Sequence, residues 1–91
     1  MLYITNKWTV DKYSENDAAI TARKKITNIS DPDVYDLTEQ LEPDLLMHFD
    51  GKTYDVLEYG TIQPLGGNLI EPTYFFVIGV DKTMQPNSQV S

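Results

Sequence analysis

Apolar and polar residues alternate from Leu2 to Val10, with Leu2, Ile4, Trp8 and Val10 on one side and Tyr3, Thr5, Lys7 and Thr9 on the other, which predicts a strand. Asn6 is the one break in that alternation. Beyond it, Ser14-Glu15-Asn16-Asp17 has the form of a helix start, because Ser14 can accept from the backbone of Asp17 and two acids sit where the helix dipole favours them. Ala19, Ala22 and Ile26 then make a narrow apolar stripe, which predicts a first helix to about Asn28. Ile20 lies off that stripe, and the Ile and Thr content of ITARKKITNI leaves a strand as the alternative.

A second helix start is more fully marked: Asp31 as N-cap, Pro32 at the first helical position and Asp33 behind it. Val34, Leu37, Thr38 and Leu41 face the core at helical spacing, and Glu42-Pro43 ends the helix. Leu45 to Phe49 leads into Asp50-Gly51, a pair suited to a type I′ turn, and Lys52 to Tyr59 returns antiparallel. A two-residue turn pairs Phe49 with Lys52, Met47 with Tyr54 and Leu45 with Val56, leaving Leu46, His48, Thr53, Asp55, Leu57 and Tyr59 on the opposite, mixed face. Thr61 to Ile70 reads as a short edge strand and a turn bounded by Pro64 and Pro72. Thr73 to Val80 is apolar on both faces and is expected to be a central strand buried on both.

These elements predict an α+β fold, a small single domain with an antiparallel sheet of about four to five strands and two helices on one face, in the order β-α-α-β-β-β. Residues 1–81 form the expected compact domain and 82–91 a flexible tail. Ninety-one residues bury somewhat over ~60% of the unfolded surface, enough for a core without staples. The chain has no cysteine, which removes disulfides, thiolate metal sites and cysteine nucleophiles. Its N-terminal stretch lacks the pattern of a signal peptide, and no apolar run is long enough to span a membrane, so a cytoplasmic location is expected, the host cytoplasm if the protein is viral.

Charge changes the picture more than composition does. The net charge is −7, which disfavours direct contact with nucleic acid or an anionic membrane. Residues 31–58 hold nine acids against one base, Lys52, while the remaining residues hold five acids and six bases. The whole imbalance belongs to one contiguous third of the chain.

No catalytic, cofactor or metal site is expected. His48 is the only histidine, and the four serines sit at predicted caps, a helix entry and the tail, so no nucleophile accompanies it. Asp31-Pro32-Asp33 lacks the spacing and glycine of a calcium loop, and Leu65-Gly66-Gly67-Asn68 has neither phosphate-cradling pattern. Arg23-Lys24-Lys25 is a lone basic triplet on a solvated element.

What remains is the acidic third. Asp31 and Asp33 serve the helix start, but Glu39, Glu42, Asp44, Asp55 and Glu58 continue the same sign, and like charges at three-residue spacing, as at Asp33, Asp36 and Glu39, cost stability. The expected function is a non-enzymatic acidic binding protein, an inhibitor that docks a surface imitating nucleic-acid charge on a basic site of a partner protein, itself possibly a nucleic-acid-binding protein. The expected partner-binding residues are Asp33, Asp36, Glu39, Glu42, Asp44, Asp55 and Glu58, with Tyr35 and Tyr59 as anchors. The alternative is a structural or assembly subunit of a virus particle or other oligomer, its mixed hairpin face buried between copies.

Overall fold

A computed structural model of the chain describes residues 1–12, 18–63 and 72–82. Among the described residues the chain order is β1 (Leu2–Tyr3), β2 (Thr9–Lys12), β3 (Ala19–Ile26), α1 (Pro32–Leu41), β4 (Leu46–Phe49), β5 (Lys52–Ile62) and β6 (Thr73–Asp81). The six strands make one sheet ordered β1-β4-β5-β6-β3-β2. β1 runs parallel to β4, and every other pairing is antiparallel. The expected antiparallel sheet of four to five strands with two helices is therefore corrected to a six-stranded mixed sheet with one helix among the described residues.

The correction begins at residues 19–26, which form a strand where a helix was expected. Ile20, Ala22 and Ile26 alternate inward and are buried, so Ile20, the residue that the helical stripe left out, has no exposed surface at all. Period two accommodates all three residues, and pairing with β6 on one side and β2 on the other supplies hydrogen bonds along the strand. The helix start expected at Ser14 to Asp17 lies outside the described residues.

The second correction is at the N-terminus. Leu2 to Val10 is two strands, β1 and β2, on opposite edges of the sheet, and the chain turns at Asn6, the break in the alternation. Trp8 N–H donates to the Thr5 carbonyl at 3.1 Å, closing that turn. A flat six-stranded sheet would hold its edges roughly 24 Å apart. Residues 4–8, turn included, reach about 17 Å at most. The sheet must therefore curl, and its concave face holds the core.

That inner face carries Leu2, Met47, Tyr54, Phe75, Val77, Ile20, Ala22 and Ile26, all buried. Phe75 is its centre, with Trp8 edge-on at 6.4 Å and Tyr59 stacked at 6.3 Å. α1 closes the concavity through buried Leu37 and Leu41, with Val34 half-buried beside them. A ten-residue helix is marginal alone, so these two leucines, each contributing about 1.5–3 kcal/mol of burial, hold it in place.

The β4–β5 hairpin has the register that its turn dictates: Phe49 opposite Lys52 and Met47 opposite Tyr54, with Asp50 at φ 53° and Gly51 at φ 81°. Farther along, a bulge between Val56 and Glu58 inserts Leu57 and reverses the alternation. Tyr59, expected on the mixed outer face, consequently points inward against Phe75. β6 is also one-sided: Phe75, Val77, Gly79 and Asp81 are buried, whereas Tyr74, Phe76, Ile78 and Val80 on the convex face are half-buried. Thr61 and Ile62, expected to open a separate edge strand, end β5 instead, while the turn expected beyond them and the tail after Lys82 lie outside the described residues. Among the described residues no helix is long and apolar enough to cross a membrane.

Candidate interaction surface

The helix that carries most of the acids is fixed at its start by Asp31. The Asp31 carboxylate accepts from Thr27 N–H and from Asp33 N–H, each at 2.9 Å. The Thr27 bond first, then the Asp33 bond, holds its pKa below the ordinary value. A carboxyl with a depressed folded pKa contributes stability that is present above the unfolded value, near 3.8, and lost as pH falls through the folded one. Asp31→Ala is therefore expected to lower the melting temperature at pH 7 and to flatten its decline in acid; thermal melts of both proteins from pH 7 down to about pH 2 check this.

The next residues separate the acids into three groups. Asp33 is partly neutralised, because Lys24 Nζ reaches it at 3.6 Å from the inner side of β3. Asp44 pairs with the Met1 ammonium at 3.1 Å and accepts from Leu46 N–H at 3.1 Å, and the ammonium first, then the Leu46 bond, holds its carboxyl below the usual range. Asp36, Glu39 and Glu42 lie between, all exposed, and among the described residues none of them has a basic partner within ion-pair distance. No basic residue occupies the last turn of α1, so Glu39 and Glu42 face the negative end of the helix dipole.

Both tyrosines join this ridge. Tyr35 is 66% exposed, and its hydroxyl bond to Glu39, one helical turn on, raises its pKa. Tyr59 donates from β5 to Glu42 Oε2 at 3.3 Å. Burial, then the Glu42 charge, raises the pKa of Tyr59. An open cleft of about 510 Å³ lies here, lined by Glu39, Glu42 and Pro43.

Asp55 and Glu58 are elsewhere. Asp55 pairs with Leu46 and Val80, and Glu58 with Ile78, all on the convex face. The expected nine-residue surface is thus not one surface: the sheet separates Asp55 and Glu58 from the helix acids. Sequence proximity suggested continuity, but alternation along a strand sends neighbours to opposite faces.

His48 is half-buried on the convex face, across from Thr53 and 5.5 Å from the Tyr3 ring. The basic triplet also divides: Lys24 turns inward, whereas Arg23 on the convex face pairs with Asp11 at 3.4 Å and lies 5.0 Å from the Tyr74 ring. Asp81 was not singled out in the sequence, yet it is only 2% exposed and has Lys52 Nζ at 3.9 Å. The signal available was Lys52 itself, the one base within an otherwise acidic third. Among the described residues no group of three or more His, Asp or Glu side chains is placed to hold a metal ion.

Compared with family models, curated proteins and solved structures, the chain matches none.

Proposed function

We propose that the chain is a non-enzymatic binding protein whose α1 ridge docks on a basic site of a partner protein and masks it. The observation that carries this is the side of α1 bearing Asp36, Glu39 and Glu42. It is exposed and uncompensated, with two of its three carboxylates at the helix end that disfavours them. Solubility alone asks for charge of one sign somewhere on the surface; it does not select the C-terminal turn of the only helix among the described residues. A concentrated negative ridge accelerates encounter with a surface rich in Lys and Arg, as on nucleic-acid-binding proteins. The proposed contact set is Asp36, Glu39, Glu42, Tyr35 and Tyr59, with Asp33 at one end, because these share or adjoin the exposed side of α1. The proposed site of action is the cytoplasm, where such partners work, and the host cytoplasm if the protein is viral.

Capture from lysate with wild-type and Asp36→Asn/Glu39→Gln baits at low and high salt tests the reading. The expected outcome is a basic protein retained by the wild type at low salt, lost at high salt and depleted on the variant bait. Equal retention by both baits would place the contact elsewhere.

A second reading, an assembly subunit, is favoured by a different feature. The convex face has half-buried Phe76, Ile78 and Val80 beside Leu57, which is 65% exposed. A mass in solution that rises with concentration supports it, and a monomer at high concentration rules it out.

A further inference from the structure

β5 is eleven residues long, yet β4 covers only its first part. The ladder between them ends at Leu46 opposite Asp55, extended by one bond from Val56 N–H to the Leu45 carbonyl at 2.8 Å. The pairing with β6 continues to Ile62 opposite Tyr74. Among the described residues, 57–62 therefore have a strand on one side only, and alternate residues direct N–H and C=O groups outward from the sheet.

Edges of this kind are ordinarily blunted by lysine, proline or a covering loop. Among the described residues, 57–62 contain neither lysine nor proline and carry two large apolar side chains, Leu57 at 65% and Ile62 at 50% exposure. It also runs past the acid-lined cleft, because Tyr59, in the middle of the stretch, donates to Glu42. A strand laid beside 57–62 would direct alternate side chains to the two faces of the sheet. Inward ones would meet Glu39 and Glu42, and outward ones would meet Glu58, which shares the convex face with Ile78. Both faces are acidic at that edge.

We infer that 57–62 is a strand-addition site for an extended, basic segment of a partner protein, its backbone pairing with β5 and its Lys or Arg side chains alternating between Glu39 and Glu42 on one face and Glu58 on the other. A second copy of this chain is a poor occupant, since edge-to-edge pairing would bring two chains of net charge −7 together at their acid-lined clefts. This rests on reading the acids as a surface for a basic partner and adds the mode of contact: main-chain hydrogen bonds supply affinity, and alternate charges supply selection.

The test uses a synthetic peptide of about nine residues alternating Lys with Val or Thr, a length that spans the six-residue edge with margin. Two derivatives carry N-methyl groups on alternate amides, one on the set facing β5 and the other on the set facing solvent. Binding to the full chain is read by titration, and its position by amide NMR and hydrogen exchange. The expected result is protection of amides within 57–62 and at least about tenfold weaker binding for one methylated set only, with the other set within a few-fold of the parent. Equal binding by both sets, without protection of 57–62, would overturn strand addition and leave the acid-ridge reading standing. No binding by the parent peptide at low salt would overturn both.

Discussion

Phe75→Ala is expected to cost about 3–5 kcal/mol of stability, and Phe76→Ala about 1 kcal/mol. The two are adjacent in β6 and chemically identical, so the difference measures only which face each occupies. Phe75 is 1% exposed and has Trp8 and Tyr59 against its ring, so truncation opens a cavity that the curled sheet cannot collapse. Phe76 is half-buried on the convex face, where its ring passes over Gly60, and truncation there removes one-sided contacts only. At about 4–8 °C per kcal/mol for a domain of this size, Phe75→Ala should lower the melting temperature by at least roughly 12 °C. Equal losses would mean that β6 is covered on both faces, as its uninterrupted apolar run suggested.

The second large effect is expected at Gly79, opposite Val56 on the inner face. A Cβ there would stand 2.5 Å from Met47 Cε, 3.0 Å from Tyr54 Cβ and 3.3 Å from the Asp55 carbonyl oxygen. The Met47 methyl can swing aside, but a Cβ and a backbone oxygen of the neighbouring strand cannot. Gly79→Val should therefore destabilise by roughly 3 kcal/mol, and, once the cost of truncating buried Met47 is subtracted through the Met47→Ala single variant, the Met47→Ala background should relieve only a small part of it. Denaturant melts of the single and double variants decide between this and a clash confined to Met47, for which recovery would be nearly complete.

Local chemistry was legible where it was local. Asp31-Pro32-Asp33 fixed the helix start and Asp50-Gly51 the hairpin register, because a cap and a type I′ turn are decided by a few neighbouring atoms. Residues 19–26 were misread for the opposite reason. ITARKKI carries a short helical stripe as well as a strand alternation, and only pairing with β6, whose Gly79 lies 59 positions after its partner Ile20, favours the strand. The break at Asn6 was visible, but that it marks a crossing between opposite sheet edges depends on the curl of the whole sheet.

The candidate site was legible as charge and illegible as shape. The acids of 31–58 were countable, yet their division between α1 and the convex face follows from strand alternation, and the inward turn of Tyr59 follows from one inserted residue, Leu57. A bulge is set by the two strands together and leaves no mark in the pattern of one. The edge of β5 that is unpaired among the described residues could not be read either, since it follows from β4 being four residues long and β5 eleven.

The most direct test of the acid ridge compares two variants of equal net charge, Asp36→Asn/Glu39→Gln on α1 and Asp50→Asn/Asp55→Asn on the hairpin, in stopped-flow association with the basic partner that the wild type retains. The first pair also relieves like-charge crowding at three-residue spacing, so its fold should be no less stable than the wild type. A docking ridge predicts an association rate reduced by about tenfold at low salt for the α1 variant, a shallower salt dependence, and a rate near wild type for the hairpin variant. Equal rates for the two variants across all salt concentrations would contradict it, because the acids would then act through total charge and not through their place on α1.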